Sequence, residues 1–345
     1  MVSTVIKNWL DYIDFDAFRE KIHNRKLYIW GAYRQSDYIK DECSRNGIAV
    51  CGFIESKKDI VEYSGLPVIK PEDITTSAEM YIVIPVSTYI NNITVFLTGK
   101  NFKVNHDYNV IRNHYEIFYT GGYYEDIYGN KIVCSTIGSA YTVVFEGYNN
   151  IVEIGSDSEF EDTRLMCFYG SKIIINDKCR FTSSLVKCSS GALISIGSDC
   201  IFGECEFYSY SILRIGNECT FKRSTLIKAD YDSPVTIGND CMFSWPIYIR
   251  SNNAHALMDL DNRENTSVSK EHFIKIGNHV WLGQNVTVLY NADIGDNSVV
   301  GAGSVVNKAF TNNCVLAGNP AKIIKENYSW GRKLKMPYDE FEKMN

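Results

Sequence analysis

From about residue 150 onward the apolar positions of the chain follow one rule. An aliphatic residue opens a short block and a glycine usually follows. Two polar residues come next, then a small residue, often with an aromatic close behind. Copies of this block open at Ile154, Ile175, Ile196, Ile215, Ile237, Ile276 and Ile294, at intervals of 21, 21, 19, 22, 39 and 18 residues. A period of six is plainest in Ile276-Gly-Asn-His-Val-Trp281 and Leu282-Gly-Gln-Asn-Val-Thr287, and it continues through Val288, Ile294 and Val300. No helical period places apolar residues in this way. Three short flat strands that close a triangular coil do, with successive coils stacked about 4.8 Å apart. Aliphatic side chains then fill the prism, small ones sit near its corners, and glycine serves the turn conformations.

The upstream pattern is different. Lys26–Trp30 reads as a buried strand, followed by Gly31-Ala32 and a helical stretch to about Arg45. Ile48–Ile54 is a second strand and Met80–Val86 a third, with a helical stretch from about Thr88 and a fourth strand expected at Lys103–Asp107. Strands alternating with helices imply a small parallel sheet of Rossmann type. The expected organisation is an α/β domain over 1–110, a tyrosine-rich linker over 111–128, a β-helix over 129–325 and a tail over 326–345.

Composition narrows the function. With 345 residues, 45% hydrophobic and 22% charged, the chain has the make-up of a soluble globular protein with room for two cores. A net charge of −6 points away from nucleic acid and from an anionic membrane as partner. The start lacks a basic region followed by an apolar core, and no apolar run reaches the roughly 18 residues that span a bilayer. A cytoplasmic protein is therefore expected. Of the eleven cysteines, Cys179, Cys200, Cys219 and Cys241 each lie four residues after a leading isoleucine. They are expected to stack as one internal column of free thiols, since spacings near 20 residues lack the close ligand pair of a metal site.

The interval of 39 residues between Ile237 and Ile276 holds an insertion. A coil takes about 18 residues, so roughly 21 are extra. The stretch Asn252-Asn-Ala-His-Ala-Leu-Met-Asp-Leu-Asp-Asn-Arg263 is too polar to fill a prism and is expected to leave the wall as a loop, within about 250–272. It carries His255, whose side-chain type suits proton transfer at neutral pH.

The segments Ile276-Gly-Asn-His-Val-Trp-Leu-Gly283, Ile294-Gly-Asp-Asn-Ser-Val-Val-Gly-Ala-Gly-Ser-Val-Val306 and Ala317-Gly-Asn-Pro-Ala-Lys322 resemble the hexapeptide-repeat acyltransferases, in the branch of sugar and capsular-polysaccharide O-acetyltransferases. The resemblance implies a left-handed parallel β-helix, a homotrimer with active sites between subunits, and acetyl-CoA as donor to a carbohydrate acceptor. No metal is implied. The position matching the family's catalytic histidine is His255; the other ring nitrogen needs a partner to fix the tautomer, for which Asp259 is a candidate and a backbone carbonyl serves equally well. Asn253 stands where the family often has Asp, so it and Trp281 are the candidate substrate contacts. The oxyanion donor is expected near Gly283 and Gln284. Ala302, Asn307, Lys308, Lys322 and Lys325 match positions that meet CoA. His272 is a weaker candidate, and His279 falls at an outward hexapeptide position expected to be surface.

The N-terminal half resembles the domain that some bacterial sugar acyltransferases place before their β-helix. There a glycine-rich turn approaches a nucleotide sugar. Here the turn is Gly31-Ala-Tyr-Arg-Gln-Ser36, without the later glycines. N-acetylation of a nucleotide-linked amino sugar is thus the alternative activity, and a non-catalytic β-helix scaffold the second alternative.

Overall fold

The computed structural model describes residues 5–8, 15–32, 34–56, 59–85, 90–103, 106–111, 114–119, 121–125, 129–136, 139–252, 255–265 and 272–342. The chain folds as two compact units, Ile6–Glu116 and Ile117–Asn345 with Met1–Val5.

In the smaller unit six strands pair in the order 62–63, 66–69, 50–54, 26–30, 80–85, 108–111. All pairings are parallel except that of the two short strands at one edge. Strands Lys26–Trp30 and Met80–Pro85 supply much of the core, with Trp30, Ile54, Ile82, Ile84 and Leu97 packed together. Helices Arg34–Arg45 and Ile90–Gly99 make two of the connections. The fourth parallel strand is Tyr108–Ile111 rather than Lys103–Asp107. The Asp107 carboxylate accepts a hydrogen bond from the Lys103 amide (2.8 Å) and pairs with Arg25 (2.8 Å), so Asp107 is folded back on Lys103 just before that strand.

The larger unit is a parallel β-helix. Each coil visits three faces in turn. The first face runs from Lys131–Cys134 through Ile274–Ile276 to Ala309–Phe310, the second from Glu159–Glu161 through Trp281–Leu282 to Cys314–Ala317, and the third from Tyr141–Glu146 through Ile247–Arg250 to Val305–Val306. The stretch expected as a linker holds strands His114–Tyr119 and Gly122–Glu125, and the second pairs antiparallel with Lys131–Cys134.

Register explains the core. Inward positions align from coil to coil, so Phe160, Phe181, Phe202, Phe221, Phe243, Leu282, Val300 and Leu316 form one column under the second face. The rings of Phe221 and Phe243 stack with centroids 4.2 Å apart and planes 2° apart.

The first corner, between first and second faces, shows why Ile-Gly repeats. The glycines are not in the left-handed region; that conformation belongs to Lys178, Asp199, Glu218, Asp240 and His279, further round the same corner. Instead each glycine lies against the next coil. A Cβ on Gly238 would come within 2.7 Å of the Asn278 amide nitrogen, and one on Gly216 within 2.7 Å of the Gly238 carbonyl. The close approach lets Asn and Asp side chains cap the neighbouring coil. The amides of Asn217, Asn239 and Asn278 donate in succession to Asn239, Asn278 and Asp296 at 2.7 to 2.9 Å.

The cysteine column lies inside this corner. The thiols of Cys179, Cys200, Cys219 and Cys241 donate to glycine carbonyls of the next coil at 3.0 to 3.2 Å. All eleven cysteines are free, and all but Cys51 are buried. Burial pushes the thiols of Cys188 and Cys205 up to about 12. The thiolate is the reactive species. Native protein at pH 8 is therefore expected to give Ellman's reagent about one fast thiol, Cys51, and all eleven only after unfolding. A native burst of several thiols would show that the corner column is open to solvent.

Candidate active site

The insertion leaves the prism at the third corner, after Ile247–Arg250, and returns before Ile274–Ile276. Its departing foot is pinned by the coil beneath. The Asp230 amide donates to Ser251 Oγ (2.9 Å), Ser251 Oγ donates to the Ser233 carbonyl (2.6 Å), and Asn252 Nδ2 reaches Ser233 Oγ (3.4 Å). Lys228 and Arg250 pair with the buried Asp230 carboxylate at 3.1 and 3.2 Å. The returning foot is fixed by packing. His272 is 7% exposed and meets Tyr290 edge-on, with ring centroids 4.8 Å apart. Neither of its ring nitrogens has a hydrogen-bond partner among the described residues. The weaker histidine candidate is thus a root of the loop.

Between these feet His255 is exposed at a bend. Beyond it a small hairpin pairs Met258–Asp259 with Glu264–Asn265. Asp259 closes that hairpin. Its carboxylate accepts the Asn262 amide (3.0 Å), the Asn262 side chain (2.9 Å) and the Asp261 amide (2.9 Å). These hydrogen bonds, those of Asn262 foremost, hold the carboxyl below the usual aspartate range. The turn therefore stays capped at neutral pH and loses its cap only as pH falls through that depressed value. The carboxylate expected to fix the His255 tautomer thus caps a turn. Leu257, Met258 and Leu260 stand exposed on the same hairpin, an apolar tip suited to cover by a second surface. Asn253 lies outside the described residues.

The remaining candidates fall elsewhere on the prism. Trp281 lies on the outside of the second face, its register neighbours being Met242 and Val299, and its indole N–H points to Ser244 Oγ (3.4 Å). Gly283, Gln284 and Ala302 stack at the second corner. The Gly283 amide donates to the Val300 carbonyl and the Gly303 amide to the Gln284 carbonyl, both at 2.8 Å. Spending the Gly283 amide in the wall leaves that of Gln284 as the candidate oxyanion donor. A Cβ on Gly283 would come within 2.9 Å of the Ala302 nitrogen, so the corner is a tight backbone cradle. Asn307 and Lys308 are exposed at the third corner, on the side of the loop. Lys322 and Lys325 are exposed on the strand Lys322–Glu326, which runs antiparallel to Cys314–Ala317.

His279 overturns its expectation as a surface residue. Its side chain is 13% exposed and clamped on every side. Nδ1 meets Asp240 Oδ2 at 2.6 Å, Nε2 meets the Trp330 carbonyl at 2.8 Å, and the Trp330 indole donates to the His279 carbonyl at 2.8 Å. The two rings stack at 4.4 Å and 9°.

In the N-terminal unit the glycine turn is occupied by the protein itself. The Gly31 amide donates to the Ile54 carbonyl (2.6 Å), and the Ala32 amide to the buried Glu55 carboxylate (3.3 Å). A carboxylate at this turn repels phosphate, where a nucleotide fingerprint offers unengaged amides. Tyr33 lies outside the described residues.

Among the described residues no three His, Cys, Asp or Glu side chains gather as a metal-holding group. No helix among them is long and apolar enough to cross a membrane.

Stacked coils of short strands on a six-residue repeat, with a loop carrying a histidine, define a hexapeptide-repeat protein, and residues 273–308 match the family model described as bacterial transferase hexapeptide (six repeats). The polysialic acid O-acetyltransferase of Neisseria meningitidis is 34% identical over 194 residues, which is 55% of this chain and 89% of that enzyme. The chain belongs to the hexapeptide-repeat acetyltransferases, in their O-acetyltransferase branch. The galactoside O-acetyltransferase of Escherichia coli K12 is 51% identical over 53 residues, a match spanning 15% of this chain and 26% of that enzyme. The solved structure of the polysialic acid O-acetyltransferase OatWY is 31% identical, with a TM-score of 0.46 over 58% of this chain and 96% of that one.

Proposed function

We propose that the protein transfers acetyl from acetyl-CoA to a hydroxyl of a bacterial surface carbohydrate, whether capsule, lipopolysaccharide or a precursor, and that it does so in the cytoplasm. The observation that carries this reading is the loop. Among the described residues the prism wall is interrupted by a polar excursion with pinned feet that exposes an imidazole, in a chain of this family.

His255 takes the proton of the sugar hydroxyl as its oxygen attacks the thioester carbonyl. The tetrahedral oxyanion is met by the Gln284 amide. Collapse expels the CoA thiolate, which recovers the proton from the imidazolium. Lys308, Lys322 and Lys325 supply charge for the CoA phosphates, and the second-corner cradle at Gly283 and Ala302 admits the pantetheine arm.

The same residues argue for a homotrimer. Within one chain the whole third face separates the His255 corner from Trp281 and the second face. Packing the third corner of one copy against the second face of the next closes that gap and gives each copy an equivalent site. The exposed Leu257, Met258 and Leu260 would be covered in the process.

The test is release of free thiol from acetyl-CoA with a panel of polysialic acid, galactosides and lipopolysaccharide. Acceptor-dependent release is expected. Its absence across the whole panel would sink the reading.

Asp259 gives a sharper check on the site. Asp259→Asn keeps an acceptor for the turn amides and is expected to leave kcat within about threefold. A carboxylate that fixes a catalytic tautomer is worth up to about 10⁴. A loss beyond about a hundredfold would therefore return Asp259 to the mechanism.

A further inference from the structure

We propose that the C-terminal strap, residues 328–332, is a working part of the transfer site: it holds Trp281 in position, with Trp330, Arg332 and His279 as positioning residues. This rests on the activity proposed above and on the place of Trp281 within it.

A chain end that only closed a prism would stay at the last coil and fray beyond it. This one turns back across several coils. After Lys322–Glu326 the Tyr328 amide donates to the Asn313 carbonyl (3.0 Å) at the last first-corner turn. Trp330 then reaches His279. Arg332 reaches further, donating to Asp240 Oδ1 from Nε (2.9 Å) and Nη2 (2.7 Å), to the Glu218 carbonyl (3.0 Å) and to Thr220 Oγ1 (3.3 Å). The strap therefore follows the first corner along the edge of the second face, where Trp281 lies.

Its anchor is dense. Trp330 is 6% exposed and has the His279 ring stacked on it, with the Arg332 guanidinium 5.8 Å from its centroid. Both His279 ring nitrogens face acceptors, Asp240 and the Trp330 carbonyl. Arg332 and His279 share the two oxygens of Asp240. From this anchor Trp330 presents its indole to Trp281 at 6.0 Å and 47°. Trp281 is thus bounded by the strap on one side of the second face and by the Gly283 and Ala302 cradle on the other. A strap joined to residues from four separate coils sets the Trp281 ring more firmly than the single long bond to Ser244 does.

Tests use the full chain with Trp330→Ala, Trp330→Phe and Trp281→Ala. Thiol release from acetyl-CoA is measured with the same panel of carbohydrates and with water as acceptors, and assembly by light scattering. Misplacing a site wall costs about ten- to a hundredfold. Trp330→Ala is expected to lose that much in kcat with unchanged KM for acetyl-CoA and unchanged assembly, and Trp330→Phe, which keeps a ring to stack on His279, to recover most of it. Wild-type kinetics in Trp330→Ala beside a loss in Trp281→Ala overturns the strap's role and leaves the activity standing. Wild-type kinetics in Trp281→Ala removes Trp281 from the site and the strap with it. Losses that track disassembly in both Trp330 variants make the strap structural only, which also defeats the proposal. A wild-type chain that releases no thiol across the whole acceptor panel sinks the activity and the strap's role together.

Discussion

Replacing His255 by alanine is expected to lower kcat by about 10²–10⁴, with the KM for acetyl-CoA little changed. The magnitude is that of a positioned general base acting on a hydroxyl, a weak nucleophile until its proton is removed. The split between kcat and KM follows from the placement. His255 lies on the loop, whereas the cradle proposed for the donor is at Gly283 and Ala302 on another corner, so the deletion should touch chemistry more than donor binding. The loop's feet are held by Ser251, Asp230 and His272, none of which the substitution alters, so folding and assembly should survive. Added imidazole is expected to restore part of the rate by occupying the vacated space. Wild-type turnover in His255→Ala would remove the histidine from the mechanism. A lost rate accompanied by lost donor binding would make His255 a binding residue instead.

Phe221→Ala is expected to destabilise the β-helix by about 3–5 kcal/mol. Phe221 is 1% exposed at the centre of the aromatic column. It lies flat on Phe243 and meets Phe202 and Phe207 edge-on, at 5.2 and 6.1 Å. The ladder bonds of the neighbouring coils prevent the prism from collapsing into the gap, so a large part of the cavity should persist. Each coil is stabilised by its neighbours, so the loss is felt as unfolding of a block of coils. Denaturant titration followed by circular dichroism measures it. Phe221→Leu keeps most of the volume and is expected to cost about 1.5 kcal/mol or less. A cost below about 1 kcal/mol for the alanine would mean that the column is loosely packed.

Much of this was legible in the residues themselves. A period of six leaves one way to bury an aliphatic stripe, so the prism followed from Ile154 to Ile294 without any long-range information. The cysteine column followed from the same register, and the loop from an interval too long for one coil. The N-terminal sheet was legible because a run such as Met80–Pro85 is apolar enough to need cover on both faces. Where the reading fell short, the cause was contact between distant residues. Strand His114–Tyr119 looked like linker because it acquires its role only by joining a sheet of other coils.

The sequence by itself determined the repeat, and with it the prism, its inward columns and the point where the wall opens, because these depend on side chains at fixed local spacing. Tertiary structure alone decided what the outward residues do. Gly216 and Gly238 are glycines because the next coil lies within van der Waals contact, not because of their own dihedral angles. Asp259 caps its own hairpin through hydrogen bonds to Asn262 and Asp261. His279 became the keystone of a clamp because Trp330, fifty-one residues later, stacks on it. Local pattern fixes which side of a strand faces the core, whereas the partner of an outward group is whatever the folded chain brings to it, and no local spacing encodes that encounter.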